Sequence, residues 1–138
     1  MFTPVSSRAA SAYQRINIET SVDGANPHQL VALLYQALLR AIAAARTALA
    51  RGDIAAKGAE ISKAVRILEE GLKSGLNVEA GGEVALNLRG VYGYCVGRLT
   101  QANLKNDDAR LAEVVALIEP IAQAWVQIQA RADVRPGP

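Results

Sequence analysis

The 138-residue sequence has few of the residue types that form reaction centres or disulfides: it contains one cysteine, Cys95, and one histidine, His28. A single cysteine excludes an intramolecular disulfide and fits a reducing compartment. His28 falls at the start of a predicted helix, where we expect a surface position, and the sequence lacks both a Glu-x-x-His pair and a Gly-x-x-x-x-Gly-Lys loop. We therefore predict no catalytic residue, no metal site and no cofactor.

An excess of one charge is also missing. The chain has 15 basic and 13 acidic residues, spread along its length, for a net charge of +2. Without a basic tract there is no electrostatic footprint for a nucleic-acid partner. The longest uncharged stretch, residues 25–39, is too short and too polar at its start to span a bilayer, and no signal peptide stands at the N-terminus. These features predict a cytoplasmic protein with no membrane insertion.

Aromatic residues make up only 4% of the chain, whereas 51% of it is hydrophobic and alanine is abundant. Such a composition favours helices packed through aliphatic side chains. Four segments with helical periodicity lie between a flexible N-terminal tail, residues 1–12, and a disordered C-terminal tail, residues 133–138. We predict a single domain, residues 13–132, that is all-α: an antiparallel four-helix bundle with an additional short N-terminal helix or arm.

Local signals fix several helix ends. Asn26, followed three residues later by Gln29, predicts a capping box at the start of the first helix. Asp53 is positioned to cap the second helix, and residues 77–82 are a loop by composition. Asn106 or the residue after it is expected to cap the fourth helix. The predicted inner stripes include Ile54 on the second helix and Val84 on the third.

We call the side of a helix opposite its predicted inner stripe its back. The backs of the second and fourth helices are mostly polar, whereas the first and third helices carry a second apolar face there. The uncharged residues on the two backs are Val31, Tyr35, Leu39 and Ile42 on the first helix, and Leu86, Gly90, Gly93, Gly97 and Leu104 on the third. Each glycine inside a helix costs about 1 kcal/mol relative to alanine, and a bare helix face allows another backbone to approach closely. We predict that these nine residues form a groove for a helical partner. The alternatives are that the chain's own N-terminal arm or a second copy covers them.

The order and spacing of several motifs resemble the FliS family of flagellin export chaperones. Residues 25–35 resemble the family's small-Pro-x-x-Leu turn leading into Leu-Tyr, and residues 87–94 resemble its Leu-x-x-Leu-Tyr-x-Tyr signature. Residues 13–20 resemble its N-terminal segment, so the likeness extends over residues 13–128. Glycines at positions 90, 93 and 97 depart from the pattern, which has bulkier or charged residues there.

This resemblance implies a cytoplasmic chaperone, not an enzyme, that binds the disordered C-terminal segment of flagellin in an apolar groove. Binding would prevent premature polymerisation and keep the subunit competent for the flagellar type III export apparatus. By the same resemblance, Tyr13, Ile16 and Ile18 would form a displaceable N-terminal cap over the groove.

Two alternatives come from other classes of protein. A self-associating helical module, such as a homodimer with a different helical partner, would use the same bare faces. A small helical enzyme such as a mutase would need convergent charged groups inside the bundle. The inner stripes are almost free of charge, so the enzyme is the least favoured reading.

Overall fold

The computed structural model describes the backbone of residues 26–134 and the side chains of residues 26–77 and 79–128. It contains four α-helices: α1 (Pro27–Ala50), α2 (Ile54–Arg66), α3 (Val78–Lys105) and α4 (Asp108–Val134). Between α2 and α3 the chain continues as a π-helical segment, Ile67–Lys73. The described residues include no strand, so the all-α prediction is confirmed.

The first two helices begin where their caps predict. The Asn26 side chain accepts a hydrogen bond from the Gln29 backbone N–H at 2.8 Å, and the Gln29 side chain accepts one from the Asn26 N–H at 3.0 Å. This reciprocal pair is the predicted capping box. Asp53 Oδ1 accepts from the Ala56 N–H at 3.1 Å and starts α2. Each cap satisfies an N–H that would otherwise lack a partner at a helix start.

The prediction of a loop at residues 77–82 is wrong. The Asn77 side chain accepts from the Ala80 N–H at 3.1 Å, and the backbone is helical from Val78. The helix is interrupted at Gly82, where φ is 55° and ψ is −131°. Only glycine adopts this conformation readily, so the glycine pair marks a kink inside a helix instead of an open loop.

At the other end of α3, Asn106 has φ 51° and is the C-cap of that helix. Asp107 Oδ1 accepts from the Ala109 N–H at 3.0 Å, so Asp107 is the residue that caps α4. Helix α4 runs to Val134, two residues into the predicted C-terminal tail. The predicted N-terminal tail and positions 135–138 lie outside the described residues. So do Tyr13, Ile16 and Ile18, the residues predicted to form the N-terminal cap over the groove.

Helix α1 packs against α2, the π-helical segment and α4, while α3 packs against α4, the π-helical segment and α2. A single apolar cluster lies between these helices. Its fully buried larger side chains are Tyr35, Tyr92, Leu30, Leu34, Leu38, Ile42, Ile61, Ile67, Leu68 and Leu99. Two residues expected in the core are not there, since Ile54 is 49% exposed and Val84 is 68% exposed. Ile54 opens α2, and Val84 follows the Gly82 kink, so both stand where helices begin.

Two helical stretches, Pro27–Ala50 and Asp108–Ile128, are long and apolar enough to cross a membrane by length and composition. The core helix of a soluble protein passes the same test. Half of the most apolar part of Pro27–Ala50 is buried within the fold, whereas only 17% of the most apolar part of Asp108–Ile128 is buried. The first helix is therefore accounted for by the core, and the absence of membrane insertion stays a prediction.

Candidate partner-binding surface

The α1 half of the predicted groove is mostly part of the core. Val31 and Leu39 are half-buried, whereas Tyr35 is 2% exposed and Ile42 is 0% exposed. The expectation that Tyr35 and Ile42 lie on a free back of the helix is wrong. Because α1 packs against α2, the π-helical segment and α4, side chains on more than one side of it are enclosed.

The α3 half of the predicted groove is open. Leu86 is 45% exposed and Leu104 is 81% exposed, and the glycines between them are exposed or half-buried. A Cβ atom added at Gly90, Gly93 or Gly97 would meet nothing within 4 Å among the described neighbours of the helix. Packing within this part of the chain therefore does not require glycine at these positions. We call the surface formed by Leu86, Gly90, Gly93, Gly97 and Leu104 the glycine face.

The two halves are not neighbours on one surface. In the described residues, α1 and α3 come together through side chains, where the hydroxyls of Tyr35 and Tyr92 share a buried hydrogen bond. Burial raises the pKa of both tyrosines, so this pair is neutral at ordinary pH. The nine predicted groove residues are thus divided between the core, a cleft described next, and the glycine face.

A cleft of about 370 Å³ opens between α1, the π-helical segment and the start of α3. Val31 and Tyr35 are the two predicted α1 residues that reach it. Its other walls are Gly71, Leu72, Gly75, Leu76, Asn77, Ala80, Gly81, Val84, Ala85, Leu88, Tyr92 and Trp125. Asn77 and the two tyrosines are the polar side chains in this lining, and the tyrosine hydroxyls are already paired. The cleft therefore suits an apolar side chain.

Trp125 lines the cleft and is held in place by His28. The Trp125 indole N–H donates to the His28 carbonyl at 2.9 Å, and His28 Nε2 lies 3.3 Å from the Trp125 carbonyl oxygen. The two rings stack with centroids 4.1 Å apart. His28, expected to be a surface residue, is half-buried and fixes the tryptophan. Trp125 packs partly against the apolar core and also lines the cleft.

Helix α4 contributes apolar surface that its sequence pattern did not predict. Leu117, Val126 and Ile128 are exposed. Leu117 shares a shallow groove with Gly90 and Tyr94 beside the glycine face. A partial signal was present in the sequence, because Leu117 and Ile128 occur among the polar residues on the back of α4.

A polar network holds α3 and α4 together at this groove. Glu113 Oε1 accepts from Arg98 Nε at 2.7 Å, and Glu113 Oε2 accepts from the Tyr94 hydroxyl at 2.5 Å. The hydrogen bond from Tyr94, followed by that from Arg98, lowers the pKa of the Glu113 carboxyl. The network fixes Tyr94 next to Gly90 and so shapes the edge of the glycine face.

Reactive groups are not gathered at these surfaces. Cys95 is buried in the core, and desolvation raises the pKa of its thiol to about 11, so it is protonated at neutral pH. Among the described residues, no cluster of histidine, cysteine and acidic side chains could hold a metal ion.

Comparison with known proteins identifies the family. The sequence model described as "Flagellar protein FliS" matches residues 9–132. The flagellar secretion chaperone FliS of Salmonella typhimurium is 46% identical over 121 residues, which cover 88% of this chain and 90% of that protein. The flagellar secretion chaperone FliSB of Pseudomonas aeruginosa is 43% identical over 118 residues, which cover 86% of this chain and 93% of that protein. The flagellar secretion chaperone FliS of Bacillus subtilis is 35% identical over 128 residues, which cover 92% of this chain and 91% of that protein. The match of the family model over residues 9–132 and this degree of identity lead to one conclusion: the chain belongs to the FliS family of flagellar secretion chaperones, which are not enzymes.

Proposed function

We propose that this chaperone binds the C-terminal segment of flagellin in the cytoplasm and so prevents its polymerisation before export. The observation that carries the proposal is the glycine face, an apolar surface of α3 on which a Cβ added at any of three glycines would meet no described neighbour. A helix of the partner can approach a bare helix face more closely than one covered by side chains. The cleft adds a second apolar site, lined by Val31 and Tyr35 from α1 and by Val84 and Leu88 from α3.

The packing supports an antiparallel four-helix bundle as the frame for these sites. Helices that follow one another in the chain are joined by short connections and pack together, and α4 returns to α1. Consecutive helices with short connections are antiparallel neighbours in such bundles. In this arrangement the cleft lies at the end where α1 and α3 begin, and the glycine face runs along the outside of α3.

Binding would be driven by burial of apolar side chains, which contributes about 25 cal/mol per Å² removed from water. Ordering a disordered segment offsets part of that gain. The balance keeps the complex stable enough to cover the segment and weak enough for release at the export apparatus, the second partner that we propose.

The N-terminal cap formed by Tyr13, Ile16 and Ile18 remains a proposal, because these residues lie outside the described part of the chain. Its support is the position of the first described residues. Asn26 stands two residues before His28, which stacks on Trp125 at the cleft. A cap in the cleft would lower the apparent affinity for flagellin by the fraction of molecules with an open cleft.

The test is isothermal titration with a C-terminal peptide of the flagellin from the same organism. We expect one-to-one binding with a negative heat-capacity change, the signature of apolar burial. Gly97→Glu should abolish binding by placing a charge on the glycine face, and Val84→Glu should weaken it by obstructing the cleft. Ala43→Glu, at an exposed position of α1, is the matched control and should bind like the parent chain.

Circular dichroism measures the helicity of each variant and ultracentrifugation measures its oligomeric state, and both are needed to interpret the titration. If the variants keep their helicity and Gly97→Glu binds as tightly as the parent, the glycine face is not the binding site. If the folded parent binds no flagellin peptide but forms a dimer that Gly97→Glu disrupts, the glycine face is a self-association surface and the chaperone proposal is overturned.

A further inference from the structure

A buried lysine lies at the end of the glycine face. The side chain of Lys57, on α2, is 3% exposed and is the one charged residue in the buried set of the described chain. Its ammonium donates to the Asn103 backbone carbonyl at 2.8 Å and to Asn103 Oδ1 at 2.7 Å. Asn103 stands in the last turn of α3, where carbonyls lack partners within the helix, so the lysine caps that helix.

The capping role does not use the whole ammonium group. It carries three N–H donors, of which two are directed to Asn103. None of the ion pairs among the described residues includes Lys57; their cations are Arg46, Lys73, Arg98 and Arg110. A buried positive charge is therefore held by neutral acceptors, and it retains the capacity for one more charge-assisted hydrogen bond.

Lys57 is one of the residues that line a recess of about 470 Å³ at the surface. Among the described residues, the recess is lined by Ile54, Lys57, Thr100, Asn103, Leu104 and Asn106, none of which is acidic. Ile54 and Leu104 are 49% and 81% exposed, so the recess combines two exposed aliphatic side chains with a lysine. Leu104 also belongs to the glycine face, which makes the recess continuous with the surface proposed for flagellin.

We propose that this recess binds an aspartate or glutamate side chain of the partner helix, with the third N–H of Lys57 donating to the carboxylate. Ile54 and Leu104 would contact apolar side chains one helical turn from that acid. The inference rests on the proposed binding of flagellin and adds its chemistry: an acidic residue within an apolar helix fixes where that helix lies along α3. A charged contact in a largely desolvated recess favours one register over its neighbours, since a shifted helix would leave both charges unpaired.

The experiment is a double-mutant cycle measured by titration. In the flagellin peptide, each acidic residue is changed in turn to its amide, and each peptide is titrated against the parent chain, Lys57→Met and Lys57→Arg. We expect one amide peptide to lose about tenfold in affinity for the parent chain, as for one charge-assisted hydrogen bond. Lys57→Met should lose the same factor with the unmodified peptide and show no further loss with that amide peptide. Lys57→Arg should restore part of the affinity.

Lys105→Met is the control, because Lys105 is an exposed lysine near the end of the same helix, α3. It should change the affinity little and show additive effects with every peptide. Thermal unfolding of each variant measures the capping role separately. If Lys57→Met lowers the melting temperature but binds all peptides as the parent does, the lysine is structural and the proposal is wrong.

The amide series on the parent chain decides the question even if Lys57→Met does not fold. If every amide peptide binds the parent chain as tightly as the unmodified peptide does, the carboxylate site is overturned and the proposal of flagellin binding still stands. Failure of the folded parent to bind the unmodified peptide overturns both proposals.

Discussion

The second apolar faces of α1 and α3 look alike in sequence but have opposite positions in the fold. On α1, Tyr35 and Ile42 are enclosed, whereas Leu104 on α3 is 81% exposed. The buried positions of α1 include the adjacent pairs 34–35, 37–38 and 41–42, which cover a broad arc of the helix. Those of α3 after its kink are 85, 92, 95, 99 and 102, a narrow stripe at spacings of three, four and seven. A wide apolar arc is typical of a helix buried on several sides, and a narrow one of a helix with a free back.

The largest effect that tests this comparison comes from deleting one aliphatic side chain on each face. Ile42→Ala should lower the free energy of unfolding by about 2–5 kcal/mol, because it leaves a cavity in the core. Leu104→Ala should change it by no more than about 0.5 kcal/mol, as for an exposed position. Urea denaturation measures both. Equal losses would mean that the outer face of α3 is also packed in the free chain.

A smaller effect is expected from the hydroxyl pair that joins the two helices. Tyr35→Phe leaves the Tyr92 hydroxyl buried without its partner, at a cost of about 1–3 kcal/mol. Tyr92→Phe should cost a similar amount, and the double variant should lose less than the sum. Tyr94→Phe is the control, since Tyr94 is exposed and its hydroxyl meets the solvent-accessible Glu113. Additive losses in the double-mutant cycle would show that the two hydroxyls do not interact.

The smallest effect has the opposite sign. Gly97→Ala should raise the free energy of unfolding by about 0.5–1 kcal/mol, because alanine favours the helix and its Cβ meets no described atom. Gly71→Ala should destabilise the chain instead, since the added Cβ would lie 3.2 Å from both Leu34 methyl carbons. Thermal unfolding of the two variants separates them. Destabilisation by Gly97→Ala would indicate that something within the chain covers the glycine face.

Sequence reasoning succeeded where the determinant is local. The capping box at Asn26 and the Asp53 cap depend on a few consecutive residues, and both are present. The exposed glycine face was also predicted, because a helix gains nothing from glycine unless the position serves another purpose.

Sequence reasoning failed where the burial of a residue depends on residues that are distant in the chain. Whether Tyr35 is enclosed depends on Tyr92 and Trp125, which lie far along the chain. The π-helical segment was not predicted either, because its apolar residues also fit an α-helical stripe. The buried position of Lys57 was not predicted, because it depends on Asn103, which α3 brings beside it.

The position of Trp125 has a spectroscopic consequence. It is the only tryptophan of the chain, it lines the cleft, and it lies on α4 in contact with His28 and not on the glycine face. Its fluorescence is therefore an intrinsic reporter of one of the two surfaces: a ligand seated in the cleft changes the surroundings of the indole, whereas a helix lying along α3 leaves them unaltered. Emission spectra of the unlabelled protein can thus distinguish the order in which the two surfaces are occupied.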